Sequence, residues 1–412
     1  MERTRSNQDS GQTTKENTQT RESESFGPTE LLSPRRGTIG EGLSGRVNSL
    51  NFLRLCLALM VIVAHAIALG FANTAGFNRT PPGDVAVFGF FGISGYLIAG
   101  SVVRNRPGRY LWQRFLRIFP GFWVALIVSA LFFGVIGWIS PGTYNVPGFI
   151  NHVHTECGTS CYLSARNSPF DYILTNSLLK VNQPFIAGTV WNGSLWTLFY
   201  EFLSYMFLLV LAIVGLVRHR IWTLATTFGL CLAVWIITFT PASQQITSPR
   251  DALVVNFLKL TPIFMVGAVI FLYRDRIPDS GWIALICSGL FFGGLWLPGA
   301  YPSLSFTDSG LLTPLIAYPL LWLGIHLPFQ KVGARNDYSY GAYIYAFPVT
   351  VLLAIWHVQR WGYPVFILLC VAGTVPFAVA SWWLIEKRAL SLKKLEWRRV
   401  WAGLVGEPRS AE

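Results

Sequence analysis

Between residues 47 and 390, apolar runs alternate with short polar stretches, and about 20 apolar residues are what an α-helix needs to cross a bilayer. Reading forward, the runs fall at 50–71, 85–103, 117–139, 192–217, 221–240, 252–273, 282–298, 311–327, 338–356 and 363–385. The pattern predicts an all-α, polytopic membrane bundle of about ten transmembrane helices. Prolines inside several runs (Pro262, Pro314, Pro319, Pro348, Pro376) predict kinks, because packed neighbours can satisfy the freed carbonyls. No internal repeat is visible, which weakens an inverted-repeat transporter reading.

Basic residues orient the runs. Placing the N-terminus inside puts the Arg104–Arg117 run, Arg218, Arg220, Arg274, Arg276, Lys331, Arg335 and the Lys387–Arg399 run on the cytoplasmic side. The opposite side then receives only Arg79, Arg166, Lys180, Arg250 and Arg360. This asymmetry predicts that both termini are cytoplasmic, in a multi-pass protein of a bacterial plasma (inner) membrane. Residues 1–46 differ in kind: they are Ser-, Thr-, Glu- and Arg-rich, and their seven basic and seven acidic residues cancel. They read as a disordered polar tail without the apolar core and cleavage site of a signal peptide, followed by a membrane domain over 47–390 and a basic tail over 391–412.

Composition fits the pattern. The chain is 52% hydrophobic and 13% charged, against about 25% charged in an ordinary soluble domain. A net charge of +12 can indicate nucleic acid, but here it is spread between apolar runs, so nucleic acid is not an expected partner. Of six cysteines, Cys56, Cys231, Cys287 and Cys370 lie in apolar runs and read as small packing residues. Cys157 and Cys161 lie in the long 140–191 segment, where His152, His154 and the two cysteines resemble zinc ligands. A disulfide or free thiols fit the spacing better than a closed zinc site, so no metal is expected.

Polar groups inside apolar runs are costly and mark candidate sites. Arg54 and His65 share the first run. Eleven helical steps bring them to within about 20° of one face and about 16 Å apart. A snorkelling arginine and a helix-packing histidine are the plain alternatives. Glu201 is the acidic residue placed well inside a run. Counting from the inner surface puts His65 at about 20 Å and Glu201 at about 18 Å, so a carboxylate could hold the imidazole in the tautomer a general base needs. Phe90-Phe91-Gly92-Ile93-Ser94-Gly95-Tyr96 brings small residues together, either for close helix packing or for a slender ligand, with Ser94 as nucleophile, oxyanion donor or mere contact. Five arginines and no lysine between 104 and 117 suggest bidentate phosphate recognition beyond positive-inside anchoring, with Arg114 and Arg117 on one helix face.

These residues, taken in order, resemble the bacterial acyltransferase family 3, which includes O-antigen, nodulation-factor and macrolide O-acyltransferases. The resemblance rests on the Arg54-x10-His65 first run, Phe90–Ile98, Arg114-Phe-Leu-Arg-Ile-Phe-Pro120, Ser194–Glu201, Ser339-Tyr-Gly-Ala-Tyr-Ile-Tyr-Ala-Phe-Pro348 and Leu384-Ile-Glu-Lys387. It implies a ten-helix enzyme moving an acyl group, often acetyl, from cytoplasmic acyl-CoA to a hydroxyl of a surface glycan or glycolipid. It also implies that Arg54 and His65 are essential and that Arg114 and Arg117 match the family's arginines. Two departures stand out. Tyr345-Ala346 replace a frequent Trp-His, and Glu386-Lys-Arg388 replaces Glu-x-Pro. An esterase-like C-terminal domain carried by some members has no counterpart here.

The expected site is therefore catalytic His65 and Glu201, with Arg54, Arg114, Arg117 and Ser94 binding the donor. Acyl-CoA is a co-substrate and no resident cofactor is expected; the bilayer and a glycan or glycolipid acceptor are the other partners. Two rivals remain: a transporter or flippase of a lipid-linked glycan, and an intramembrane serine protease built on Gly92-Ile-Ser-Gly95. The protease reading is opposed by His219, His326 and His357, which all fall at run borders.

Overall fold

The computed structural model describes residues 37–45, 47–71, 82–153, 158–164, 167–181, 184–239, 249–296 and 312–394. A short helix, α1 (Ile39–Gly42), leads into α2 (Leu50–Phe71), α3 (Pro82–Arg104) and α4 (Pro107–Val128). Through a π-turn at Ser129–Phe133, α4 continues into α5 (Gly134–Ile139). Beyond an interlude of short elements come α8 (Trp196–Ile213), α9 (Arg220–Phe239), α10 (Pro249–Leu272), α11 (Gly281–Trp296), α12 (Ala317–His326), α13 (Ser339–Ile355), α14 (Tyr363–Ser381) and α15 (Lys387–Ser391). Among the described residues six helices are long and apolar enough to cross a membrane: Leu50–Phe71, Pro82–Arg104, Pro107–Ile139, Trp196–Ile213, Leu253–Leu272 and Tyr363–Ser391. The other apolar runs also fold as helices, α9, α11, α12 and α13, which fall short of that mark. Exposed Trp123, Ile127, Phe132, Phe228, Trp235 and Leu368 give these helices the apolar outer face that lipid requires.

The third apolar run begins earlier than its hydropathy predicts. Pro107 at the first helical position starts α4 ten residues ahead of Arg117, so Arg109, Arg114 and Arg117 sit on a helix rather than in a loop. The small-residue motif of α3 is a helix contact. A Cβ at Gly95 would collide with the Phe264 carbonyl of α10, and one at Gly267 with the Gly92 carbonyl. Glycine at both positions lets the two backbones approach, and Ser94 is left to face elsewhere.

The 140–191 segment is a folded cap. Strands β1 (Thr143–Val146) and β2 (Ile150–Val153) form an antiparallel hairpin. Short helices α6 (Thr159–Ser164) and α7 (Pro169–Asn176) follow, and then a second hairpin of β3 (Phe185–Ile186) and β4 (Thr189–Val190). Buried aromatics seat it on α4 and α5. The Tyr162 hydroxyl donates to the Ala130 carbonyl at 3.0 Å, and Trp191 fills the notch left by Gly137. Tyr144 donates to the carbonyls of Leu69 and Gly70, fixing the first hairpin over the end of α2.

At the other end, residues 37–45 are packed, although their composition groups them with the polar tail. Ile39 is fully buried, and its N–H donates to the Ile277 carbonyl at 3.1 Å. The rest of that tail, residues 1–36 and 46, lies outside the described residues, as do 395–412 of the basic tail. So do His154, Cys157 and Arg166. His152 is buried with Nε2 3.1 Å from the Ser140 carbonyl, Cys161 is disulfide-bonded, and Cys56, Cys231, Cys287 and Cys370 are free thiols. Among the described residues no group of three or more His, Cys, Asp or Glu side chains is placed to hold a metal.

Candidate active site

α8 and its approach meet α13 through side chains, Asn192 reaching Ile344 and Thr197 reaching Tyr343, and a file of polar groups leads from an arginine cluster past Glu201 to this level. At the arginine end, Asp337 sits just before α13. Its Oδ2 receives Arg54 from α2 and Arg117 from α4, each at 2.7 Å. Its Oδ1 accepts the Ser339 N–H at 3.2 Å and the Ser339 hydroxyl at 2.5 Å. Burial alone would raise the Asp337 carboxyl, but Arg54, Arg117 and the Ser339 hydrogen bonds hold it well below the usual carboxylate range. Arg117 also faces Glu386 at 3.7 Å and lies over the Tyr340 ring, 5.5 Å from its centroid. Glu386 is buried in the π-turn Trp382–Glu386 and accepts the Ser381 hydroxyl at 2.9 Å. Arg114 makes no ion pair among the described residues. It lies 5.8 Å from the ring centroids of both Tyr110 and Tyr205, and its buried Nε has no hydrogen-bond partner.

One step further along, Glu201 accepts the Ser94 hydroxyl at 3.0 Å and the Tyr205 hydroxyl at 2.5 Å. Beyond it, the hydroxyls of Thr197 and Tyr343 share a hydrogen bond of 2.5 Å, and Tyr343 donates to the Ser194 carbonyl at 3.1 Å. Asn192 ties this end together, donating from Nδ2 to Ser129 Oγ at 3.0 Å and to the Ile344 carbonyl at 2.8 Å. Ser129 opens the π-turn of the long third helix, and such turns recur at functional sites.

His65 stands at the far end, edge-on to Phe347 with ring centroids 4.9 Å apart. The Phe347 ring meets Gly193 on another side, 2.6 Å from where a Cβ would stand, and faces Phe149 of the first hairpin at 6.3 Å between centroids. His65 Nδ1 is buried and has no hydrogen-bond partner.

The geometry divides the six sequence-derived residues into two groups and a residue standing apart from both. Arg54 and Arg117 meet on Asp337, with Arg114 nearby; Ser94 meets Glu201; His65 is apart. The expected hydrogen bond between Glu201 and His65 is absent. Thr197 and Tyr343 lie at one level, Glu201 is one turn of α8 toward the arginines, and Phe347 is one turn of α13 the other way. That separates Glu201 from the imidazole by about two turns, or about 12 Å along the axis. The residue count fixed depth only; the fold gives Glu201 to Ser94 and Tyr205 and sets His65 against Phe347. Asp337, Glu386, Tyr205, Thr197, Tyr343 and Asn192 were not singled out from the sequence. For Asp337 the available signal was an acid two residues before a serine that opens an apolar run, a helix-start pattern.

A buried imidazole with aromatics against it and an arginine cluster thus lie within a bundle that includes helices long and apolar enough to cross a membrane. The chain belongs to the acyltransferase family 3, whose acyltransferase domain matches residues 47–383. It is similar to an O-acetyl transferase of Shigella phage Sf6, 29% identical over 361 residues covering 84% of this chain and 96% of the relative. It is also similar to nodulation protein 10 of Rhizobium leguminosarum bv. viciae, 28% identical over 390 residues covering 87% of this chain and 97% of that one. No solved structure matches. The protein is thus a multi-pass membrane acyltransferase.

Proposed function

We propose that the enzyme transfers an acyl group, acetyl in the simplest case, from cytoplasmic acyl-CoA to a hydroxyl of a surface glycan or glycolipid, across a bacterial plasma membrane. The observation that carries this reading is the polar file between α8 and α13, which links an arginine cluster to a buried imidazole. The basic-residue asymmetry supports ten crossings, with both termini and the arginine end in the cytoplasm. The relatives' names, an O-acetyl transferase and a nodulation protein, support a hydroxyl acceptor.

In this reading the donor phosphates sit at Arg114 and at the N–H groups that Arg54 and Arg117 do not spend on Asp337. The pantetheine arm runs along the file past Ser94 and Glu201, which position it. His65 takes the proton from the acceptor hydroxyl as the oxygen attacks the thioester carbon. The new C–O bond forms, the C–S bond breaks, and the imidazolium returns the proton to the departing thiolate, leaving ester and free thiol. The walls of Phe347, Phe90 and Tyr343 keep the site dry, so that hydrolysis competes poorly.

The test is transfer from radiolabelled acetyl-CoA, supplied to the cytoplasmic face of membrane vesicles, to extractable glycan or glycolipid. Wild type is compared with His65→Ala at matched expression. Label incorporated by wild type and lost in the variant is the expected result. Equal labelling would remove His65 from the chemistry, and vectorial movement of glycan without acylation would make the protein a transporter.

A further inference from the structure

The charges at the arginine end do not balance in place. Asp337 and Glu386 are both taken up by Arg54 and Arg117, and Glu201 is occupied by two hydroxyls one step along the file. Arg114 is left without an ion pair and with an orphaned Nε. A second unpaired cation stands beside it. After α15 the chain turns through a 3-10 turn, Leu392–Lys394, and folds back against α4, where the Trp112 indole N–H donates to the Leu392 carbonyl at 3.2 Å. This places Lys393, half-buried, close enough to Arg114, Arg117 and Asp337 for their charges to act on it. Among the described residues Lys393 makes no ion pair. Two neighbouring cations withdrawn from water without a counter-charge are unfavourable by themselves, and favourable once an anion joins them.

We infer that Lys393, delivered by the segment after the last membrane helix, pairs with Arg114 to bind a phosphate monoester of the acyl donor. Two unmatched positive charges suit a group that carries close to two negative charges at pH 7, and a lysine and an arginine side by side offer donors to several of its oxygens. The inference rests on the acyl-CoA reading, in which the 3′-phosphate is the one monoester of the donor. A lysine that merely anchored the chain to lipid headgroups would snorkel outward, whereas Lys393 is half-buried within reach of the arginines' charges.

The experiment measures the affinity of the full chain, in phosphatidylcholine nanodiscs, for CoA and for 3′-dephospho-CoA. Wild type, Lys393→Ala and Lys393→Arg are compared, with thermal midpoints to show that each is folded. The expected result is that Lys393→Ala weakens CoA binding by about tenfold or more and leaves dephospho-CoA binding unchanged, while Lys393→Arg restores most of the loss. Equal CoA affinity in wild type and Lys393→Ala would overturn the inference while leaving the acyl-CoA reading intact. Stabilisation by added phosphatidylglycerol that depends on Lys393, with CoA affinity unaffected, would overturn it in favour of a lipid phosphate. Wild type that binds no CoA would overturn the donor reading itself, and this inference with it.

Discussion

The arginine end and the His65 end of the same bundle solve opposite problems. At the first, Arg54, Arg117, Asp337 and Glu386 interlock, so charge is held in place by charge. At the second, an imidazole sits against Phe347 with an unpartnered buried Nδ1 and no ion pair among the described residues, while Asp84 stands in the first turn of α3 next to Gly83, which packs against Ala64. A charged network suits binding an anion that arrives and leaves. An apolar enclosure around a weak base suits a proton transfer that must not be diverted to water. Separating the two along one polar file lets each have its own dielectric. This comparison sharpens when either end is damaged alone.

The largest expected effect is on the dry end. His65→Ala lowers acyl transfer by about 10²–10⁴-fold, the usual contribution of a positioned general base. CoA affinity and thermal midpoint stay at the wild-type values because no charged group is touched. Comparable losses of CoA binding and transfer would merge the two ends into one site. Next comes Asp337→Ala, which leaves two buried guanidiniums facing one another. Breaking a buried pair by removing one partner costs about 3–5 kcal/mol, so the expected outcome is a marked fall in thermal midpoint with weaker CoA binding. An unchanged midpoint would show that Arg54 and Arg117 reach water without Asp337.

Glu201→Gln is the smaller and more discriminating change. If Glu201 oriented His65, the variant would alter the pH dependence of the maximal rate, since the base would lose its carboxylate. With Ser94 and Tyr205 instead both donating to Oε1 of Glu201, the amide oxygen still accepts the two hydroxyls but without the negative charge. The expected result is then a loss of about tenfold, from hydrogen bonds that lose their charged acceptor, with the pH profile unmoved. A shifted profile would restore the direct pairing of the two residues.

How far the sequence reaches follows the same division. Helix positions were legible because a bilayer demands long apolar runs, and Arg54, Arg114 and Arg117 were legible because cations interrupt those runs. What hydropathy does not encode is which polar groups meet across helices. Residue counts put Glu201 and His65 at one depth, but they carry no information on which neighbours each side chain meets, Ser94 and Tyr205 for the one and Phe347 for the other. The folded cap over 140–191 went unread because its strands span four residues or fewer, too short for alternation to show. Asp337 and Glu386 lie at the borders of apolar runs, where an acid is unremarkable, and only packing reveals that they are the anions paired with Arg54 and Arg117.

The smallest expected effect is a pH response confined to the arginine end. Burial first, and then Arg117 and Arg114, push the Lys393 ammonium down from the ordinary lysine range to about 8, against the opposing pull of Asp337. The charged form therefore prevails below pH 8 and is lost above it. Asp337 stays ionised across this window because its pKa is depressed, and the comparison with Lys393→Arg subtracts the response of any other group, Glu386 beside Arg117 included. The second proton of a phosphate monoester leaves near pH 6, so the ligand's charge is also constant. If charged Lys393 binds CoA about tenfold better than neutral Lys393, affinity falls by about fivefold between pH 7 and pH 9. Lys393→Arg should be flat over the same range, as its guanidinium does not lose its proton. Transfer measured at saturating donor should show no such step, because the dry end contains nothing that responds to Lys393. A step of equal size in both wild type and Lys393→Arg would assign the response to another group and dissolve this last distinction between the two ends.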